Sequence, residues 1–161
     1  MNDSILEQIS KTLNSIKAKC QLKDKTIAEQ LGVSCSELKC LKNFLSNDRI
    51  SVKDLAERLG ITSGGVTKIV GQLEEKSILR RDMDPDDRRG ILVSLTGEGR
   101  DLITELHKNT IGYYDELFGG LSDKNKEDIL KGILLLNESW DNLISKCPGT
   151  QVSKIQGGEN C

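Results

Sequence analysis

Apolar residues recur along most of this chain at intervals of three and four, the spacing of a helix with one buried stripe. Leu6, Ile9, Leu13, Ile16 and Cys20 form such a stripe. It spans about two heptads, enough to meet a partner helix or the chain's own core and too short for an independent coiled coil. Thr26–Leu31 and Ser34–Leu45 read as two further helical segments, broken at Gly32. Ser51 opens a short helix, and Ser51-Val52-Lys53-Asp54 resembles a capping box with Asp in place of Glu or Gln. Gly60 is placed to close that helix in a left-handed conformation. Thr62 can cap the next one, where Val66, Ile69, Val70 and Leu73 line a single face.

The period then changes. Ile91-Leu92-Val93-Ser94-Leu95 has strong β-propensity, and Arg80-Arg81 leads towards it through Asp84-Pro85-Asp86-Asp87, residues that favour tight turns. Thr96 caps a helix with Leu102, Leu106, Thr110, Tyr113 and Leu117 on one side, ended by Gly119-Gly120. Ser122 starts the last helix. Its Ile129, Leu130, Ile133, Leu134, Leu135, Leu136, Trp140, Leu143 and Ile144 make a surface too broad to be covered from one side, and an interface between subunits would supply the cover. From Pro148 the periodicity stops, as expected of a flexible tail.

Within this layout, Val52–Ser77 has the spacing of a helix-turn-helix. Ala56 is the small residue at the helix contact, Gly60 the turn, and Leu55, Leu59, Ile61, Val66 and Ile69 lock the second helix onto the first. The outer face of that second helix carries Thr62, Ser63, Gly64, Gly65, Thr67, Lys68 and Gln72, short or hydrogen-bonding groups suited to base edges and phosphates. Spacing alone is weak, because Ala28, Gly32, Leu38 and Leu41 repeat it. One of the two copies is a decoy, and what separates them is the sequel: only the second is followed by a hairpin, the pattern of a winged helix. Arg88 and Arg89 sit near the hairpin tip, where guanidinium groups can enter a narrow minor groove. Asp82, Asp84, Asp86 and Asp87 offset that charge. Two readings stand: a solvated turn with local ion pairs, or Asp87 orienting an arginine through a charge-assisted bond while its neighbour meets DNA.

Composition narrows the class. In 161 residues, 36% hydrophobic and 30% charged, no apolar run approaches the roughly 20 residues of a membrane span, and Met1-Asn2-Asp3-Ser4 has no leader character, so a cytoplasmic protein is expected. Twenty-three basic and 25 acidic residues leave a net charge of −2, so a DNA reader of this composition must gather its basic groups on one surface. Cys20, Cys35, Cys40, Cys147 and Cys161 are odd in number and form no Cys-x-x-Cys pair, which favours reduced thiols. No Cys/His cluster has zinc spacing, and the single histidine, His107, has no evident catalytic partners. No metal, cofactor or catalytic residue is expected, and the chain does not read as an enzyme.

Asp87-Arg88-Arg89 followed by Leu95-Thr96, placed after Leu55-Ala56 and Leu73-Glu74, resembles the MarR family of bacterial transcriptional regulators, closely over residues 31–99. The resemblance implies a mainly α fold with a small β-hairpin wing: a winged helix-turn-helix with N- and C-terminal dimerisation helices. Mapped onto this chain, it implies one domain over residues 1–147. Residues 1–30 and 97–146 would be dimerisation helices, 34–96 the DNA-binding region, and 148–161 a tail. It further implies a homodimer bound to a pseudo-palindromic operator in double-stranded DNA, acting as a repressor released by a small aromatic ligand or an oxidant. Thr62, Ser63, Gly65, Thr67, Lys68 and Gln72 would meet the DNA from the helix, and Asp87, Arg88 and Arg89 would serve the wing. Cys20 occupies a position where some relatives use a redox-sensing cysteine, although a small buried hydrophobe is the plainer reading.

Two features depart from the family pattern. Ser77 stands where glycine often follows the recognition helix, and Gly64, Gly65 and Gly71 weaken that helix by up to about 1 kcal/mol each at interior positions. Either packing holds the helix, or it orders fully only on DNA. The rival functional class is a sensor or adaptor that keeps the winged fold and acts through protein partners.

Overall fold

A computed structural model describes residues 4–85 and 90–146. Among them run α1 (Ile5–Gln30), α2 (Cys35–Leu41), a 3₁₀ turn (Lys42–Phe44), β1 (Arg49–Ser51), α3 (Val52–Leu59), α4 (Ser63–Glu75), β2 (Leu79–Met83), β3 (Ile91–Leu95), α5 (Gly97–Phe118) and α6 (Asp123–Ser145). They form two compact units, with the boundary inside α5 between His107 and Lys108. Asp86, Asp87, Arg88 and Arg89 lie outside the described residues, as do the expected tail at 148–161 and Cys147.

The first unit is built around one core. Leu38, Leu41, Phe44, Leu55, Val66, Val70, Leu73, Val93 and Leu106 are buried in it, so each of α2 to α5 contributes at least one anchor. The sheet is antiparallel in the order β1-β3-β2. The hairpin of β2 and β3 follows the sequence pattern, closed by a hydrogen bond from the Asp84 N–H to the Gly90 carbonyl at 3.0 Å. The third strand, β1, was not expected. It is short, and it exists because Ile50 pairs with Val93 and drops into the core.

Thr26–Leu31 is not a separate helix. It is the last part of α1, a 26-residue helix capped by Ser4 and uninterrupted by glycine or proline. Thr26 is absorbed by donating its hydroxyl to the Leu22 carbonyl at 3.2 Å. What changes along α1 is the face that is covered: Ile27 and Ala28 are buried, whereas Ile5, Leu6, Ile9 and Ile16 are exposed.

Helix ends follow local chemistry. Ser34 and Glu37 form a reciprocal capping box on α2. Ser51, Thr62 and Ser122 each accept an N–H from the first turn of their helix, and Thr96 accepts from Gly99 at the start of α5. Left-handed residues close α1 at Gly32, α3 at Gly60 and α4 at Ser77. At α4, Ser77 N–H reaches the Glu74 carbonyl and Ile78 N–H the Leu73 carbonyl, the two bonds of a Schellman motif. Ser77 holds a φ of +59° despite its Cβ.

In the second unit, the rings of Tyr114 and Phe118 stack at 6.1 Å, and Tyr113 meets Tyr114 edge-on at 5.9 Å. No residue of α6 is buried, and Ile129, Leu130, Ile133, Leu134, Leu135, Trp140 and Leu143 are exposed.

Candidate nucleic-acid interface

The helix-turn-helix is assembled from its packing side outward. Leu55 of α3 and Val66, Val70 and Leu73 of α4 are fully buried, and Ala56, Leu59 and Ile69 pack against them. The Ala56 carbonyl accepts the Ile61 N–H at 3.1 Å, which fixes the turn around Gly60. With this inner face buried in the core, the opposite face of α4 is turned outward.

That outer face carries the residues expected there. Thr62, Ser63, Gly64, Thr67, Lys68 and Gln72 are exposed. Ser63 with Thr67, and Gly64 with Lys68 and Gln72, lie four residues apart and so share a face of α4. Hydrogen bonding within the helix tells the two threonines apart. Thr62 Oγ1 accepts the Gly65 N–H at 3.2 Å, which leaves its hydroxyl proton for an outside acceptor such as a phosphate oxygen. Thr67 Oγ1 donates to the Ser63 carbonyl at 2.9 Å, so it presents lone pairs and a methyl outward.

Gly65 is half-buried. Its N–H serves the Thr62 cap, and a Cβ there would lie 3.4 Å from Ile61 Cδ1, so glycine lets the helix start close over Ile61. The first turn of α4 carries no acidic residue, so the partial positive charge of its N-terminus is not cancelled from within that turn.

Beyond α4, the chain returns through β2. Arg80 is exposed and pairs with Asp82 at 3.3 Å, whereas Arg81 turns back onto α4. The Arg81 guanidinium donates from Nη2 to the Thr67 carbonyl at 2.8 Å, and its Nε lies 3.2 Å from Glu74 Oε2. The other Glu74 oxygen accepts the Arg81 backbone N–H at 2.9 Å. These contacts were missed by sequence reasoning. The available signal was Gly71, a costly residue in mid-helix: a Cβ there would sit 3.4 Å from Arg81 Nη2.

The expected wing residues Asp87, Arg88 and Arg89 lie outside the described residues, so neither reading of the acidic turn is decided there. Cys20 is half-buried and Cys35 exposed. Burial, with the Glu37 carboxylate nearby, pushes the Cys40 thiol up to about 12, so Cys40 is held protonated. His107 is exposed. Among the described residues no group of three or more His, Cys, Asp or Glu could hold a metal ion, and no helix is long and apolar enough to cross a membrane.

A locked helix with a polar outer face, followed by an antiparallel hairpin, defines the class as a winged helix-turn-helix DNA-binding regulator. Residues 33–91 match the model of the MarR family. The uncharacterized HTH-type transcriptional regulator YwaE of Bacillus subtilis (strain 168) is 30% identical over 141 residues, covering 86% of this chain and 81% of its own length. The HTH-type transcriptional repressor MdtR of the same organism is 30% identical over 97 residues, covering 60% of this chain and 63% of its own. The solved structure of a MarR family protein from Bacillus stearothermophilus superimposes with a TM-score of 0.78 at 16% identity, covering 88% of this chain and 99% of that one, which shows the shared fold. The chain belongs to the MarR family, whose members are transcriptional regulators and not enzymes.

Proposed function

We propose that this protein is a homodimeric repressor that binds a pseudo-palindromic operator. Each α4 enters a major groove, with half-sites about one turn, ~10 bp, apart. Thr62, Ser63, Gly65, Thr67, Lys68 and Gln72 form the helix contact, and Asp87, Arg88 and Arg89 serve a wing contact in the adjoining minor groove. The observation that carries this reading is the division of α4, with Val66, Val70 and Leu73 fully buried and Thr62, Ser63, Thr67, Lys68 and Gln72 exposed.

Residues 1–30 and 97–146 supply the dimer contact on this reading. Its support is the run of exposed apolar side chains on α1 and on α6, the kind of surface that marks an interaction site. Residues 34–96 then form the DNA-binding part of a single MarR-like domain. The similarity to the repressor MdtR supports repression over activation. Release by a small aromatic ligand or an oxidant follows from the family resemblance, with half-buried Cys20 as the thiol open to oxidation.

Selection from a pool of random-sequence duplexes, repeated with and without peroxide, tests the proposal. An enriched inverted repeat with half-sites one turn apart, recovered less well with oxidant, is the expected result. No enriched sequence would reject operator binding and favour the adaptor reading. An enriched site indifferent to peroxide would remove the oxidant.

A further inference from the structure

The side chain of Arg81 leaves the wing strand, crosses the flank of α4 and ends on a carbonyl within the recognition helix. Three groups make that crossing specific. Glu74 holds both ends of the residue, accepting its backbone N–H through one oxygen and pairing with Nε through the other. The Thr67 carbonyl takes Nη2. Gly71 stands four residues beyond Thr67, and a Cβ there would touch the guanidinium nitrogen at 3.4 Å, an ordinary contact distance, so the guanidinium lies against this part of α4.

Only arginine can satisfy this set. Its planar fork places Nε and Nη2 on two acceptors at once, whereas a lysine offers one nitrogen to both. Neighbouring Arg80 makes the contrast, since its Nε pairs with Asp82 of its own strand.

We propose that Arg81 is a positioning residue for DNA binding: seated over Gly71, it fixes the wing strand to the recognition helix, so that the two elements dock on DNA as one body. The proposal rests on the reading above, in which α4 and the wing both touch DNA. A wing fixed in advance delivers its arginines to the minor groove without a further ordering cost when α4 binds. A wing free of α4 would contribute charge without a set position.

The test uses a duplex selected by the full-length wild-type chain from a random pool. Hydroxyl-radical footprints report the minor groove, guanine N7 methylation protection reports the major groove, and the salt dependence of affinity is measured alongside. Arg81→Lys and Arg80→Lys both keep the charge, but only the first breaks the fork. Arg81→Lys is expected to lose the flanking minor-groove protection, keep the guanine protection, and lower the salt slope by about one unit as wing–phosphate contacts disengage. Arg80→Lys is expected to keep both protections.

Gly71→Ala separates position from stability. The methyl favours the helix and meets the guanidinium at ordinary contact distance, so both protections are expected to stay while the melting temperature holds or rises. Arg81→Lys with wild-type footprints and slope would overturn the proposal. So would a Gly71→Ala protein whose two protections fade together with its melting temperature, which marks a structural role only. A wild-type footprint with no minor-groove protection would reject the wing contact itself, and that outcome appears before any variant is made.

Discussion

Lys76, the residue that closes the recognition helix, places its Nζ 2.9 Å from Glu37 Oε2, tying the C-terminus of α4 to the first turn of α2. The same ammonium donates to the Gly32 carbonyl at 3.1 Å, so the α1–α2 turn is held as well. Glu37 is nearly fully buried and also accepts the Ser34 N–H at 2.6 Å, so one carboxylate serves a helix cap and an ion pair.

Burial raises the Glu37 carboxyl, but the hydrogen bonds from Ser34 and Lys76 outweigh it and hold the group below its ordinary value of 4.5. Folding therefore favours the deprotonated form. The stability this provides is complete above 4.5 and is lost as pH falls through the lower folded value. Urea denaturation at pH 7 and at successively lower pH checks this, and Glu37→Gln is expected to flatten the acid limb. Glu37→Ala, which removes both the cap and the pair, is expected to cost about 2 kcal/mol at neutral pH.

Ser77→Gly is expected to stabilise the fold. Ser77 sits at a φ of +59°, where a Cβ is strained and glycine is not, and its position at the end of a Schellman motif leaves the backbone bonds intact. A gain of about 0.5–1 kcal/mol in urea midpoint analysis is the expected size, part of the relief being offset by the freer unfolded chain. Unchanged stability would mean that the strain is relieved by the surroundings.

Gly99→Ala is expected to have the opposite effect. Gly99 is buried at the start of α5, and a Cβ there would lie 2.1 Å from the Ile78 carbonyl oxygen, which belongs to rigid backbone. The Thr96 hydroxyl also holds that segment, 2.6 Å from the Ser77 carbonyl and 3.1 Å from that of Ile78. A loss of about 3 kcal/mol or more in thermal or urea denaturation follows from overpacking against groups that cannot move.

Deleting residues 1–20 is expected to convert a dimer into a monomer while sparing the winged core. The deleted part of α1 carries Ile5, Leu6, Ile9 and Ile16, all exposed, and leaves buried Ile27 and Ala28 in place. Sedimentation velocity reads the oligomer and circular dichroism reads the core. A truncated chain that still sediments as a dimer would assign the stripe no part in assembly.

Arg89→Ala is expected to weaken binding to a selected duplex and to lower the salt slope by about one unit for each phosphate-region charge lost. An unchanged slope and affinity would take Arg89 out of the interface.

Elements with local causes were legible from the sequence. Thr62, Thr96 and Ser122 announce their helices because a cap needs only a hydroxyl and an N–H a few residues on. The β2–β3 hairpin is legible because its residues and its turn are adjacent. The unexpected parts are non-local. β1 exists only through pairing of Arg49, Ile50 and Ser51 with β3, more than forty residues later. The continuity of α1 through Thr26 was hidden because its apolar face shifts from the Leu6–Cys20 stripe to Ile27 and Ala28. At the interface, exposure of Thr67, Lys68 and Gln72 followed from helix period alone. Nothing in the adjacent letters separates Arg80 from Arg81, because the difference is made by Glu74 and the Thr67 carbonyl on another element. The glycine that read as a weakness of the recognition helix lies against the Arg81 guanidinium.

The central claim is that the exposed face of α4 reads DNA, and the affinity of the Lys68→Ala/Gln72→Ala double variant for a duplex selected by the wild-type chain tests it most directly. Both side chains are exposed and outside the core, so the melting temperature should stay that of the wild type. Binding to the selected duplex is predicted to fall by roughly 10- to 100-fold, the scale of one or two lost groove contacts, with little change towards scrambled DNA. Wild-type affinity and selectivity in the folded double variant would contradict the account.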